Sequence, residues 1–438
     1  MNKIIHYEKM KPSREPWLGD IPESWGTLRL KRIFSIKKDI AGEEGHTVLS
    51  VTQRGIRPKV MSEKGQFAQD YSKYQLVYKG EFVMNHMDLL TGWVDISNYN
   101  GVTSPDYRVF INTNSSKYDS GYYRYIFQLC YSARIFYGLG KGVAGFGRWR
   151  LPADMFLNFV LPVPDFEEQK RIAEFLDEKI SSVDSIIEES KTIIEEYKKW
   201  RQSIISEAVL GMDQCCEKKR SGIEWIDSIP SNWETRRLKA LFSFGKGLHI
   251  TKSDLVEEGI PVISYGQIHA KFNPGTMIVD GLIRYVPESY LKSNPESLVH
   301  KGDLLVADTS EDKDGCGNAV YVDKDTPLFA GYHTIILKSL EPSDNKYLSY
   351  LFKTDEWRSQ IRMRVSGVKL FSISKKILGM VSVILPPADE QKNIVEKLDK
   401  KCRKIDAIIA EKESLISDLE LYKKSLIYDA VTGKRKVV

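Results

Sequence analysis

Two stretches of the chain set apolar residues at three- and four-residue steps on a charged background. In 166–211, Val183, Ile187, Ile194, Tyr197, Ile204 and Ala208 recur in that rhythm, with Ile186, Ile193 and Trp200 alongside. In 389–433, Ile405, Ile409, Ile416, Leu419, Leu426 and Ala430 take the matching places, with Ile408, Leu415 and Tyr422 beside them. A near-heptad seam with charged flanks predicts a helix that must pack on another helix. A proline just before each stretch and a glycine just after it mark the boundaries. Some 40 residues of helix span about 60 Å, and neither seam can be covered by its own turns. The two helices are therefore expected to pack on each other, antiparallel.

The stretches between, 36–160 and 244–385, carry a different pattern. HTVLSVTQ, KYQLVYKGEFVMN, IPVISYGQIH, GDLLVAD and HTIILKS are β-branched and aromatic runs broken by Gly, Asn and Asp, which predicts strands and turns. The whole pattern occurs twice. WLGDIPESWGTLRLKRIFS at 17–35 returns as WIDSIPSNWETRRLKALFS at 225–243, with ten of nineteen positions identical. FVLPVPDFEEQK returns as VILPPADEQK, placing Glu168-Gln169-Lys170 on Glu390-Gln391-Lys392, and Ala208-Val209 falls on Ala430-Val431. Agreement at a fixed offset means an internal duplication. The inserts between the repeated pieces align poorly, as in a frame that presents two different binding surfaces.

The fold class expected is α/β in the broad sense, more closely α+β. Two β-rich mixed domains are separated by two long antiparallel coiled-coil helices, with pseudo-two-fold symmetry. The boundaries expected are 1–164 and 213–387 for the domains, and 165–212 and 388–438 for the helices and tail. A length of 438 residues with 42% hydrophobic content suits such a multidomain globular chain. No apolar run reaches the ~18–20 residues of a membrane span, and the N-terminus has no signal-peptide pattern. Cys130, Cys215, Cys216, Cys316 and Cys402 form no even framework and read as reduced thiols of a cytoplasmic protein.

Net charge is only +5, but its distribution is uneven. The helical stretch 166–211 holds eleven acids against seven bases, and 389–430 holds ten against nine, so an excess of ten positive charges lies elsewhere. That excess suits a surface for a polyanion.

Catalytic patterns are weak by comparison. Gly140, Gly142 and Gly145 give a formal G-x-G-x-x-G, but the run lacks the preceding strand and following helix that a phosphate site needs. It is better read as a flexible basic loop carrying Lys141, Arg148 and Arg150. Pro164-Asp165 with Glu168-x-Lys170 has the letters of a metal nuclease, yet these acids open a helix, where the dipole alone favours them. The histidines (His6, His46, His86, His249, His269, His300, His333) show no ligand spacing, and His333 is expected at the start of a strand. Arg29, Lys31 and Arg32 beside Trp25, and Arg236, Arg237 and Lys239 beside Trp233, could grip phosphate. Packing of each tryptophan against its own domain is the favoured reading.

The frame W-x-x-x-I-P-x-x-W, a β-rich insert, L-P-x-x-x-E-Q, a long helix and A-V-x-G, twice over, resembles the DNA-specificity subunit of type I restriction–modification systems. GVTSPDY and GDLLVAD are also similar to stretches in that family's target-recognition domains. The resemblance covers nearly the whole chain. It implies a non-catalytic subunit whose two target-recognition domains read the halves of a split double-stranded DNA site, with the long helices as a ruler between them. It also implies two adenine-N6 methyltransferase subunits that bind S-adenosylmethionine, and restriction/translocase subunits that use ATP and Mg, with no cofactor in this chain. Base readout calls for polar and basic side chains presented to groove edges. The candidates are Gln53, Arg54, Arg57, Lys141 and Arg148 in the first domain, and Gln267, His269, Lys271, Thr309, Ser310 and Lys369 in the second. For methyltransferase docking the resemblance points to Glu168, Gln169, Glu390 and Gln391 with the helix surface around them; the alternative there is a helix start satisfying its own amides. Two other functions stay open on the residues: a stand-alone DNA-modifying or DNA-cleaving enzyme, although no N/D-P-P-Y/F motif is present, and a protein-only coiled-coil scaffold.

Overall fold

Both predicted helices form, Phe166–Val209 and Ala388–Val431, each 44 residues long. In the computed structural model, residues 5–59, 70–142, 149–341, 344–367 and 369–438 are described. The chain divides into two compact units, one of Met1–Lys191 with Glu413–Val438 and one of Thr192–Lys412. Each unit thus owns one β-rich domain, the first part of one long helix and the last part of the other.

Of the expected seam positions, Val183, Ile187, Ile194, Ile204, Ile405, Leu426 and Ala430 are buried, and Tyr197, Ala208, Ile409, Ile416 and Leu419 are half-buried. In the first unit Ile172, Leu176 and Ile180 share a core with Leu426, Ala430 and Val431. Lys423 Nζ lies 2.6 Å from Asp184 Oδ1 at the edge of that seam. In the second unit Ile204, Ile205 and Val209 pack with Ile394, Leu398, Cys402 and Ile405, and Arg201 pairs with Asp406 at 3.0 Å. These pairings run antiparallel. The flanking Ile186, Trp200, Leu415 and Tyr422 remain exposed.

The repeated sequence pieces meet in space. In the first unit Trp25 is fully buried, and its Nε1 donates to Glu168 Oε2 at 3.0 Å, while Tyr7 donates to Glu168 Oε1 at 2.6 Å. The other long helix ends at the same point. Tyr122 donates to Val431 O at 3.0 Å, and Gly433 turns the chain with φ +74, so close that a Cβ there would stand 2.2 Å from Pro22 Cδ. The second unit repeats the arrangement: Trp233 Nε1 donates to Glu390 Oε1 at 3.0 Å, Tyr347 to Val209 O at 2.8 Å, and Gly211, φ +66, abuts Pro230 and Trp233. The motifs I-P-x-x-W, E-Q and A-V-x-G are three sides of one node. This bears out the packing role of the tryptophans.

Each domain is built on a four-stranded antiparallel sheet of the same order. In the first it runs Phe34–Lys37, Arg108–Asn112, Phe82–Met84, Val94–Ile96; in the second, Phe242–Lys246, Thr334–Ser339, Leu304–Ala307, Ala319–Tyr321. Poorly alignable inserts therefore share a topology, because a strand needs only an apolar inner face, not particular residues. The second domain adds a mixed sheet, Arg284–Val286, Ile260–Ile263, Leu328–Ala330, Leu298–Val299, whose central pair is parallel. IPVISYGQIH is strand only over Ile260–Ile263; it then turns into the short helix Tyr265–Ile268, where Ser264 and Gln267 form a capping box.

Candidate nucleic-acid interface

In the first unit the described candidates lie on a hairpin and at an isolated bridge. Strands Leu49–Thr52 and Gly55–Pro58 form a hairpin with Gln53 and Arg54 at its two-residue tip. Gly55 supplies φ +97, and Thr52 Oγ1 accepts from Arg54 N at 3.1 Å, which closes the turn. Alternation buries Leu49 and Ile56 against Val77, Val83 and Val109 and leaves Gln53, Arg54 and Arg57 in solvent. Lys191, and after it Arg54, holds the Glu188 carboxyl below its ordinary range, so the hairpin tip lies near that helix.

Lys141 is exposed and pairs with Arg150 through reciprocal backbone bonds of 2.8 and 3.0 Å, at the foot of residues 143–148. Arg148 and Gly145 lie outside the described residues. Gly140 admits no side chain, since a Cβ there would stand 2.2 Å from the Trp149 indole. The segment that follows Arg150 is held by the His86 backbone and by Arg108, a residue that sequence reasoning passed over. Arg108, only 5% exposed, donates to Leu151 O at 3.0 Å and stacks on Phe156, while His86 O accepts from Leu151 N at 3.0 Å. Burial, with the charges of Arg108 and Arg150 added, lowers the His86 imidazole to a pKa of about 4. A lone arginine in a strand gives no sequence signal that it points inward.

In the second unit the structure brings most of the candidates together. His269 Nε2 donates to Thr309 O at 2.8 Å, and its Nδ1 accepts from Asn318 Nδ2 at 2.9 Å. Thr309–Ser310 pairs with Phe371–Ser372, which brings Lys369 to the same edge. Gly315 packs closely there, since a Cβ would stand 2.5 Å from Ser310 Oγ and require that hydroxyl to shift. Thr309 and Ser310 are buried, at 9% and 3% exposure, whereas Lys271 and Lys369 are exposed. Gln267 is half-buried and uses its Oε1 to accept from Ser264 N at 3.0 Å. His333 stands immediately before its strand, as expected, and joins this cluster: its Nδ1 is 2.7 Å from Asp308 Oδ1.

The four docking candidates all sit in the nodes. Glu168 and Gln169 are buried, and Gln169 Oε1 accepts from Asp119 N at 2.8 Å while its Nε2 donates to Pro164 O at 3.0 Å. Glu390 and Gln391 are half-buried, and Gln391 donates to Pro386 O at 2.8 Å.

The model of the type I restriction modification DNA specificity domain matches this chain twice, over residues 22–196 and 230–417. The chain belongs to that family. Among relatives, the MjaVIII specificity subunit of a type I restriction enzyme from Methanocaldococcus jannaschii is 23% identical over 440 residues, covering 99% of this chain and 98% of that one. The EcoKI specificity subunit of Escherichia coli K12 is 20% identical over 211 residues, 47% of this chain and 44% of its own length. The fold is shared with a chain solved in work on complex assembly and conformational transition of the type I R-M system, with TM-score 0.68, 15% identity, and 94% of this chain and 98% of the other covered. The HsdS subunit from Thermoanaerobacter tengcongensis covers the same shares at 15% identity and TM-score 0.50. As a specificity subunit the chain is non-catalytic, and its target-recognition domains read DNA. Among the described residues no cluster of His, Cys, Asp and Glu could hold a metal, and no helix is long and apolar enough to cross a membrane.

Proposed function

We propose that this specificity subunit reads a bipartite double-stranded DNA site, one half with each target-recognition domain, and docks two adenine-N6 methyltransferase subunits and, with them, restriction/translocase subunits. The observation that carries the reading is the double family match, one to each half of the chain. The hairpin residues Gln53, Arg54 and Arg57 with Lys141 and Arg148 would meet the first half-site. The cluster of Gln267, His269, Lys271, Thr309, Ser310 and Lys369 would meet the second. Methyltransferase docking would use the helix surface around Glu168, Gln169, Glu390 and Gln391, whose own side chains are hydrogen-bonded within the nodes. S-adenosylmethionine would be bound by the methyltransferase, and ATP and Mg by the restriction subunits.

The test is a genome-wide map of N6-methyladenine with this gene intact and deleted, followed by exchange of residues 36–160 for another member's insert. One split motif should vanish on deletion, and the exchange should change one half of it only. An unchanged map, with no methyltransferase co-purifying, would overturn the reading.

A further inference from the structure

We propose that His333 is a specificity-determining residue of the second target-recognition domain, its Nε2 accepting a hydrogen bond from the exocyclic amino group of a base, with Asp308 as the residue that positions it. The inference rests on the DNA-reading function above.

His333 holds φ at +57, one of three non-glycine residues with a left-handed backbone among the described residues. That conformation is disfavoured for a side chain with a Cβ and persists only where the surroundings impose it. Here they do. The Nδ1 lies 2.7 Å from Asp308 Oδ1 and 3.1 Å from Thr309 Oγ1, and the ring is braced by Tyr332 and Tyr265, at 4.0 and 5.5 Å between centroids. Strained backbone held this firmly is a mark of functional positions.

The hydrogen bonds also settle which nitrogen is open. Thr309 Oγ1 donates its proton to Asp308 Oδ1 at 2.8 Å, so both oxygens facing the imidazole accept from Nδ1–H. Nδ1 therefore carries a proton, and Nε2 has no partner among the described residues; in the Nδ1–H tautomer it presents a lone pair. The ring is 36% exposed, enough to be reached. His269 is the opposite case, because both of its nitrogens are consumed by Thr309 and Asn318. His269 is half-buried and can meet DNA only with its ring carbons, so the open imidazole nitrogen belongs to its neighbour.

Charge narrows the ligand. The segment after the strand carries Asp308, Glu311, Asp312 and Asp314 against Lys313. Carboxylates around the imidazole suit a donor there, while the exposed Lys271 and Lys369 of the same cluster are left for phosphate. In the major groove the donors are the amino groups of cytosine N4 and adenine N6.

The experiment uses the full chain co-expressed with its methyltransferase and reads the methylated motif by sequencing. His333→Gly removes the imidazole while relieving the left-handed backbone, and His333→Asn tolerates the same φ. Each should relax one position of one half-site, a required A or C, losing discrimination by about five- to tenfold. The other half-site should not change. Asp308→Asn should relax the same position less. An unchanged motif overturns the proposal. So does a uniform loss over all positions with a shallower salt dependence, which is the signature of a phosphate contact. If His333→Gly melts well below the parent, His333→Asn is judged by the same criteria. A parent complex that methylates no split motif would fail before any substitution and would overturn the DNA-reading function itself.

Discussion

Replacing Glu168 with alanine is a direct test of the node. The carboxylate is 7% exposed and serves two donors, the fully buried Trp25 indole at 3.0 Å and the Tyr7 hydroxyl at 2.6 Å. Its removal strands the indole N–H where water does not reach, which costs about 1–3 kcal/mol, and loses the Tyr7 bond, worth about 0.5–1.5 kcal/mol. A total near 2–4 kcal/mol is expected. Glu168→Gln keeps one acceptor oxygen for two donors and should cost about 1–2 kcal/mol. The assay is urea unfolding of the full chain, with hydrogen exchange of residues 20–30 and 166–180 assigning the loss to this node. Trp25→Phe completes a double-mutant cycle, and a coupling of about 1–2 kcal/mol between the two positions is expected for neighbours sharing a buried bond. A cost for Glu168→Ala below about 0.5 kcal/mol, or strict additivity with Trp25→Phe, would refute the claim that the two repeated motifs are ends of one interaction.

Gly433→Ala should destabilise by about 2–4 kcal/mol, combining a left-handed φ with a Cβ driven into Pro22, and a thermal melt reads it. His86 binds its proton less readily folded than unfolded, so stability is full above its ordinary pKa and falls as pH drops from about 6.5 towards 4. Discounted for partial exposure, the loss is about 1–2 kcal/mol, and His86→Gln should flatten that part of the urea-midpoint profile. Lys353, lowered to a pKa of about 7 by burial and then by Arg358 and Arg201, makes the second unit gain stability as pH rises from 7 towards 10. Lys353→Met should abolish that gain in the same measurement. Arg54→Ala should lower DNA affinity and reduce the salt slope of binding by about one if the hairpin tip meets a phosphate; an unchanged slope would remove Arg54 from the interface.

The long helices were legible because a 3.5-residue seam of Ile and Leu among charges has no other stable use. The node was half legible. The recurrence of I-P-x-x-W, E-Q and A-V-x-G was plain, but nothing in linear order says that Trp25 meets Glu168 while Gly433 closes on Pro22 from the far end of the chain. Within the inserts, base readout calls for side chains presented to groove edges. Thr309 and Ser310 are instead buried by pairing with Phe371–Ser372, a partner some sixty residues away. Gln267 carried a signal that names its local duty, since S-x-x-Q before a short apolar turn is a capping box. Which histidine is tied and which is open depends on Asn318 and Asp308, contacts that no spacing rule encodes.

The first node joins the two extremities of the polypeptide. Lys436 N donates to Ile5 O at 2.8 Å, and His6 Nδ1 lies 2.8 Å from Lys434 O. The second node sits where Val209 gives way to the segment 210–217, so the same three motifs are stitched by a peptide link in one place and only by hydrogen bonds and packing in the other. The two ends of the sequence therefore lie close enough for a short link to join them. A permuted gene that opens the chain within 213–216 and splices residue 438 to residue 5 through a short linker would encode every contact described here, with the old termini become an ordinary loop.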